Sequence, residues 1–396
     1  MPKKTLKDVD VRNKRVLVRV DFNVPITKDG KVLDEFRILG VLPTINYLRE
    51  HNAKVILMSH LGRPKGFDES LKMDPIKDVL EKLGGFKVYK LNDCVGDEVE
   101  SFINESLSPK EVVLLENLRF HKGEEDNDPE FAKQLASLGD IFVNDAFATA
   151  HRIAASTAGI TQYLPSVAGL LMEKEINTLT KILENPDKPY VAILGGAKVS
   201  DKIGLIRNLI SKVDKILIGG GMCFTFLKAL GYETGMSLCE VDKLDVAKNL
   251  LEEAKKKGVK IVLPVDVVGA SEVKESGYAG IFDIEEMPSN LIGVDIGPKT
   301  VKLFENEING AKTLVWNGPL GVFEIEKFSE GTYELAKFIG SLKGVITVVG
   351  GGETVAAFRK FNLQDSITHL STGGGAFLEF LEGKVLPAVD ALEDLG

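Results

Sequence analysis

Nine short runs of apolar, largely β-branched residues recur along the chain, and each gives way to a glycine or polar turn and then to a helix-like pattern. In the first half they are "RVLVRV", "KVILMS", "EVVLLE" and "DIFVND"; in the second, "YVAILG", "KILIGG", "KIVLPV", "TLVWNG" and "GVITVVG". Four to six apolar residues in a row, with no polar alternation, describe strands buried on both faces. Such strands alternating with helices predict parallel α/β sheets. Between the halves, Leu170, Leu171, Glu175, Ile176, Leu179, Ile182 and Leu183 recur at helical spacing, and Pro186 and Pro189 stop the pattern. We therefore expect a connecting helix near 168–184 with a sheet domain on either side; one helix inside a single large domain is the alternative.

At 396 residues the chain is long enough for two or three domains. Its net charge of −9 argues against a general binder of nucleic acid or anionic membrane, while leaving room for a local basic cluster. Cys94, Cys223 and Cys239 are far apart and form no C-x-x-C, so neither a disulfide framework nor a zinc site is expected, and a reducing cytoplasm is. "MPKKTLKDVDVRNK" has no apolar core of a signal peptide, and no apolar run approaches a membrane span.

In open parallel sheets, ligands bind beyond the carboxyl ends of the strands. In the first half those ends are followed by Asp21-Phe22-Asn23, by Ser59-His60-Leu61-Gly62-Arg63, by Arg119, His121 and Lys122, and by Asp145, His151 and Arg152; Arg37 follows the first turn. In an extended chain Asp21 and Asn23 would share a side. Guanidinium forks match phosphate and carboxylate oxygens, so cationic groups converging from four strand ends predict a small polyanion as ligand. A single arginine in such a place is ordinarily a solvated loop charge, and His51, His121 and His151 read as exposed or supporting.

In the second half the strand ends carry glycine: Gly195-Gly196, Gly219-Gly220-Gly221, Gly318 and Gly350-Gly351-Gly352, with Gly373-Gly374-Gly375 further on. Glycine admits close approach of backbone to phosphate, though tight packing selects it too. No Walker A loop is spelled: Gly30-Lys31 and Gly383-Lys384 are each followed by valine. The dinucleotide fingerprint also fails, at Val355 and at Phe224, which disfavours a dehydrogenase. Lys198 and Lys202 stand four apart. If a helix opens just after Gly196 they share a face at its positive end, where a polyphosphate would relieve their repulsion; two exposed lysines on a surface helix are the alternative.

"VRVDFNVP", "SHLGRPKG", "LLENLRFHKGEE", "VNDAFATAHR", "LGGAKVSDKI", "WNGPLGVFE", "GGGETVAAF" and "HLSTGGGAFLEFLEGKVLPAVDAL" together resemble the phosphoglycerate kinase family, in order, from Leu6 to Leu392. The resemblance implies two Rossmann-like parallel-sheet α/β domains facing across a cleft: 1–167 for 3-phosphoglycerate, a connecting helix 168–184, 185–375 for the nucleotide, and 376–396 returning to the first domain. It implies the transfer 1,3-bisphosphoglycerate + ADP ⇌ 3-phosphoglycerate + ATP, with Mg²⁺, in a cytoplasmic monomer with no nucleic-acid or membrane partner. It assigns Asp21, Asn23, Arg37, His60, Arg63, Arg119 and Arg152 to the glycerate ligand. The nucleotide is implied to meet Gly196, Lys198, Lys202, Gly293, Asn317, Pro319, Glu324, Gly350, Gly351, Gly352, Glu353 and Thr354. Arg37 and Lys198 would be catalytic, and Glu353 would serve the metal through the nucleotide. The helix near 168–184 and the turn 371–375 are the implied hinges. Two positions depart from the family pattern: Glu353 replaces the usual aspartate, and Ala148 replaces a glycine, with Ile153 after Arg152. Another kinase acting on a small carboxylate is the alternative, and an inactive scaffold of the same fold a further one.

Overall fold

The computed structural model describes residues Met1–Gly396, which divide into two compact units. The first comprises Met1–Asn177 with Val385–Gly396, the second Thr178–Lys384. No helix is long and apolar enough to cross a membrane.

The first unit is built on β1 (Arg15–Arg19), β2 (Lys54–Met58), β3 (Val88–Lys90), β4 (Val112–Leu114), β5 (Ile141–Asn144) and β6 (Ser166–Ala168). They form one sheet in the order β3-β4-β2-β1-β5-β6, parallel throughout. The apolar runs behave as their composition requires. Val16, Val18, Val55, Leu57, Val112, Leu114 and Val143 pack into a core on one face, while Leu17, Ile56, Val113 and Phe142, alternating with them, are also fully buried. Both termini close the sheet beside β6: Thr5 bridges Ala168, Glu393 N–H donates to Ser166 O (3.0 Å), and Lys3 pairs with Asp394 (2.8 Å). That covers an edge strand that would otherwise offer unpaired backbone groups.

The second unit holds β7 (Tyr190–Leu194), β8 (Lys215–Ile218), β9 (Lys260–Val262), β10 (Asp266–Ala270), β11 (Ala279–Asp283), β12 (Ile292–Ile296), β13 (Thr313–Asn317), β14 (Ile346–Gly350) and β15 (His369–Leu370). Six of these form a second parallel sheet, β15-β14-β13-β7-β8-β9. The other three form a small antiparallel sheet, β11-β10-β12, with an irregular register at Val268/Gly269. This second sheet corrects the expectation of parallel strands alone. Its strands are interrupted by glycine and aspartate, and β11 is only partly buried, so they carry no continuous apolar run.

The helix expected near 168–184 spans Leu170–Glu184. It begins where Asp145 Oδ1 accepts from the N–H groups of Leu171 (2.9 Å) and Met172 (3.1 Å), and ends before Pro186. The return of the chain to the first unit begins at Val385 rather than 376. Gly375–Leu381 is a helix that stays with the second unit, where Asn208 Nδ2 donates to Leu381 O.

Candidate active site

The strand order explains why basic groups from scattered segments meet. β4, β2, β1 and β5 are consecutive neighbours, so the four loops read as ligand-bearing leave the same edge of the first sheet side by side. After β1 the chain does not stay extended. Asp21 Oδ1 accepts from Asn23 N–H (2.9 Å) in an Asx turn, and Phe22 turns into the core. Asp21 also pairs with Arg37 (3.2 Å), whose Nη1 donates to Asn23 O (2.9 Å). Asn23 Oδ1 accepts from Gly62 N–H (2.9 Å), tying the β1 loop to the β2 loop. Arg119 Nη1 donates to Gly62 O (2.8 Å), tying the β4 loop to the same point.

His60 sits at the centre, buried, with Nδ1 2.9 Å from Arg19 Nη2. Burial holds its imidazole well below the usual range, and the guanidiniums of Arg19, Arg119, Arg37 and Arg152 reinforce that shift. Burial likewise lowers Arg119, with Arg152 and Arg63 adding to it against Glu125 and Glu124. Five arginines thus act electrostatically on one histidine or on one another. Arg63 and Arg152 are exposed, and Arg37 is half-buried. An anion entering this edge would meet exposed guanidiniums outside and buried donors within.

Arg19 is a member the sequence did not disclose. It lies inside β1 and is fully buried. Its Nε donates to Ser156 Oγ (2.8 Å), and Ser156 in turn donates N–H (2.8 Å) and O–H (2.6 Å) to the buried carboxylate of Glu124. A charge pair bridged by a hydroxyl therefore underlies the cluster. Asp145, which follows β5, caps the helix Leu170–Glu184 instead of joining the cluster. His121 turns to Asp93 (2.7 Å), and His51 lies at the end of its helix with Nδ1 2.7 Å from Tyr47 O.

The second sheet repeats the logic with different chemistry. β14, β13, β7 and β8 are consecutive, and their ends carry the glycine loops. These loops stack backbone on backbone: Gly195 N–H donates to Asn317 O (3.0 Å), Gly196 N–H to Pro319 O (2.9 Å) and Met222 N–H to Gly196 O (3.0 Å). A Cβ on Gly195 would stand 2.2 Å from Pro319 O, and one on Gly318, at φ +99°, 2.2 Å from Gly195 O. Glycine is compulsory there for loop-on-loop contact. Asn317 Nδ2 donates to Gly350 O (3.0 Å), and Thr354 Oγ1 accepts from Gly318 N–H (2.7 Å). Gly351, at φ +96°, precedes the helix Gly352–Lys360, whose first-turn N–H groups open at the end of β14.

A cavity of about 340 Å³ lies against these loops, wholly within the second unit. Of the expected residues, Gly196, Gly293, Pro319, Glu324 and Glu353 line it. The rest of its wall is largely apolar, with Phe224, Leu238, Val267, Ile292, Leu320 and Val322, and includes the buried Asp295. A Cβ on Gly293 would fall 1.9 Å from the Phe224 ring, so glycine there seats that aromatic wall. Apolar walls of this kind suit a flat heterocycle, and the free N–H groups that open the helix Gly352–Lys360 suit an anionic tail.

The helix expected just after Gly196 does not open there. Lys198 is extended (φ −128°, ψ 135°) and exposed, Val199–Asp201 is a 3₁₀ turn, and the α-helix runs Ile203–Ile210. Ser200 is held by Glu240 through its N–H (3.1 Å) and hydroxyl (2.5 Å), which keeps this segment off the helix. The two lysines therefore do not share a helical face. Lys198 projects from a loop, whereas Lys202 is half-buried and donates to Asn317 Oδ1. Burial lowers the Lys202 ammonium, against the opposing pull of Asp201, Glu353 and Glu382.

A family model described as phosphoglycerate kinase matches residues 6–384. The phosphoglycerate kinase of Dictyoglomus turgidum is 57% identical over 397 residues, covering 100% of each chain. Among solved structures, phosphoglycerate kinase from Coxiella burnetii superposes with a TM-score of 0.88 at 46% identity, covering 98% of each chain. That from Pyrococcus horikoshii gives 0.86 at 34% identity, again over 98% of each chain.

Proposed function

The chain belongs to the phosphoglycerate kinase family, and from that premise we propose that it transfers a phosphoryl group between 1,3-bisphosphoglycerate and ADP, giving 3-phosphoglycerate and ATP. The observation that carries the reading is the ring of guanidiniums about His60 at four adjacent strand ends. A phosphorylated glycerate presents a carboxyl group at one end and a phosphate at the other, and such a ring answers both charges. In this reading Asp21, Asn23, Arg37, His60, Arg63, Arg119 and Arg152 hold the glycerate. Asp21, buried against Arg37, positions that arginine; its carboxylate would suit a substrate hydroxyl rather than a phosphate.

The nucleotide occupies the cavity of the second unit. Its base lies between Gly293 with Phe224 and the Pro319 loop, its ribose toward Glu324, and its phosphates toward Gly196, Lys202 and the start of the helix Gly352–Lys360. Asn317, Gly350, Gly351 and Thr354 hold the loops that bear on the phosphates. Glu353 lines the cavity in the first turn of that helix, and an oxygen donor there fits Mg²⁺ carried with the nucleotide. Bound Mg²⁺ would offset charge on the phosphate oxygens.

In the forward direction an oxygen of the terminal phosphate of ADP attacks the acyl phosphorus, and the P–O bond to the carboxyl group breaks. The leaving group is a carboxylate, stable without a proton, so no general base is required. What remains is alignment and neutralisation of charge spread over the three oxygens of the moving group. Lys198 and Arg37 take that role. Because glycerate and nucleotide are bound by different units, transfer requires closure about Leu170–Glu184 and the turn 371–375. Closure also excludes water that would hydrolyse an acyl phosphate. We further propose a cytoplasmic monomer without nucleic-acid partners. A coupled assay should show ATP consumption dependent on 3-phosphoglycerate and absent with acetate. Turnover of acetate at a comparable rate would return the reading to a general carboxylate kinase.

A further inference from the structure

The loop after β3 and the turn after β4 bring together three side chains that play no part in the proposed reaction: Asp93, Cys94 and His121. One donor atom from each lies within 4.8 Å of the other two. We propose that they form a binding site for a borderline divalent cation of the zinc type, completed by water.

The donor set selects the metal. A thiolate and an imidazole suit Zn²⁺ and Co²⁺, and are poor ligands for Mg²⁺, which keeps to oxygen. Three protein donors leave a fourth tetrahedral position for water. A cavity of about 380 Å³ lined by Asn92, Asp93, Val95 and Gly96 gives solvent access on that side.

The three side chains differ in freedom in a way that suits capture. Cys94 is fully buried and fixed, and none of its neighbours makes it part of a disulfide. Asp93 and His121 are about half and one-third exposed. Asp93 Oδ1 accepts from His121 Nε2 (2.7 Å) and from Cys94 N–H (2.7 Å), which leaves Oδ2 for a further partner. Asp93 O accepts from Glu116 N–H (3.3 Å), and the His121 ring stacks on Phe131 at 5.1 Å. With bonds of about 2.0–2.3 Å, tetrahedral ligands stand roughly 3.3–3.6 Å apart. The exposed pair can close that difference by side-chain rotation about the fixed sulfur.

Asp93, Glu124 and Glu116 set negative charge about the Cys94 sulfur. Those same carboxylates favour a dication, and a coordinated thiol gives up its proton. Binding is therefore accompanied by proton release to solvent. The absence of C-x-x-C hid the site, because its donors come from two segments that meet only through the pairing of β3 with β4.

The test uses the reduced, nucleotide-free full chain titrated with Co²⁺ in excess Mg²⁺. One equivalent should produce a thiolate-to-cobalt charge-transfer band that Zn²⁺ abolishes. The band should persist in Cys239→Ala, vanish in Cys94→Ala, and require at least about tenfold more Co²⁺ in His121→Gln, since loss of even an outer-shell partner costs that much. No band at one equivalent, or a band unchanged in Cys94→Ala, overturns the proposal. Should Cys94→Ala fail to fold, His121→Gln at its partly exposed position decides: unaltered cobalt affinity overturns it.

Discussion

Arg19 Nη2 lies 2.9 Å from His60 Nδ1, and both side chains are buried. A guanidinium can only donate, so Nδ1 must accept, and the ring proton resides on Nε2. His60 is thereby a neutral donor aimed away from Arg19, inside a ring of positive charge. A second proton on the imidazole would give it a positive charge facing Arg19, Arg119, Arg37 and Arg152 together.

Nitrogen-15 NMR of the imidazole should therefore show a protonated Nε2 and a bare Nδ1, persisting well below pH 6.5. The unfolded chain takes up a proton at His60 near the ordinary value of about 6.5, whereas the folded chain does so only at lower pH. Below about 6.5 the unfolded state binds more protons, so this residue erodes stability as pH falls from about 6.5 toward the folded value, and costs nothing above about 6.5. His60→Gln keeps an N–H donor without a titrating ring. Its denaturation midpoint should lose less between pH 7 and pH 5 than that of the parent. A His60 that titrates near 6.5 in the folded protein would falsify the assignment.

Lys198 and Lys202 should separate catalysis from binding. Lys198 is exposed and extended, so Lys198→Ala should leave the thermal midpoint in place. Losing one preorganised donor to a transferring group costs about 2.7–4 kcal/mol, so kcat should fall roughly 10²–10³-fold with little change in nucleotide Kd. Lys202 instead bonds Asn317, which also holds Gly350. Lys202→Ala should weaken nucleotide binding and lower the midpoint together. Steady-state kinetics with calorimetric titration of ADP distinguish the two, and near-normal turnover in Lys198→Ala would remove its proposed role.

These contrasts also mark what the sequence could disclose. The parallel strands were legible because strands buried on both faces must be apolar throughout, as "KVILMS" and "YVAILG" are. β3 (VYK), β6 (SVA) and β15 (HL) mix polar with apolar residues and so do not register as apolar runs. The antiparallel strands β10–β12 are broken by Gly269, Gly280 and Gly293, and so offer no continuous apolar run. The apolar wall of the cavity was hidden for another reason: Phe224, Leu238 and Val267 have no chemistry to separate them from core. Exposed cations at strand ends announced themselves, whereas Arg19 sat within a strand and Glu124 in a run of acidic residues. The helical phase of Lys198 was misread because the tether of Ser200 to Glu240 spans forty residues of sequence.

Arg63 tests the division of ligands between the units. It is exposed and follows β2, at the outer side of the cluster around His60. A hydrogen bond to a charged group is worth about 1.5–3 kcal/mol, so Arg63→Ala should raise the KM for 3-phosphoglycerate roughly 10–100-fold. The KM for ATP should stay within about twofold, and stability within about 0.5 kcal/mol. Equal rises in both constants would contradict separate sites. Arg63→Lys should recover only part of the loss, because an ammonium cannot present a planar fork.

Asp295 leads to an expected pH dependence for the cavity of the second unit. It is buried in the cavity wall, where Gly331 N–H (2.6 Å) and Thr332 Oγ1 (3.0 Å) donate to it. Burial pushes its carboxyl up to about 8 despite those donors. In the unfolded chain it ionises near 3.9. Between those values the folded state binds more protons, so Asp295 costs stability progressively as pH rises from about 4 to about 8. Asp295→Asn should flatten that slope in denaturation midpoints. Binding carries the same signature. Above pH 8 the ionised carboxylate adds negative charge to the cavity wall and opposes an anionic nucleotide. ADP affinity should therefore decline between pH 7 and pH 9 in the parent and hold steady in Asp295→Asn. Parallel declines in both proteins would place the titrating group elsewhere.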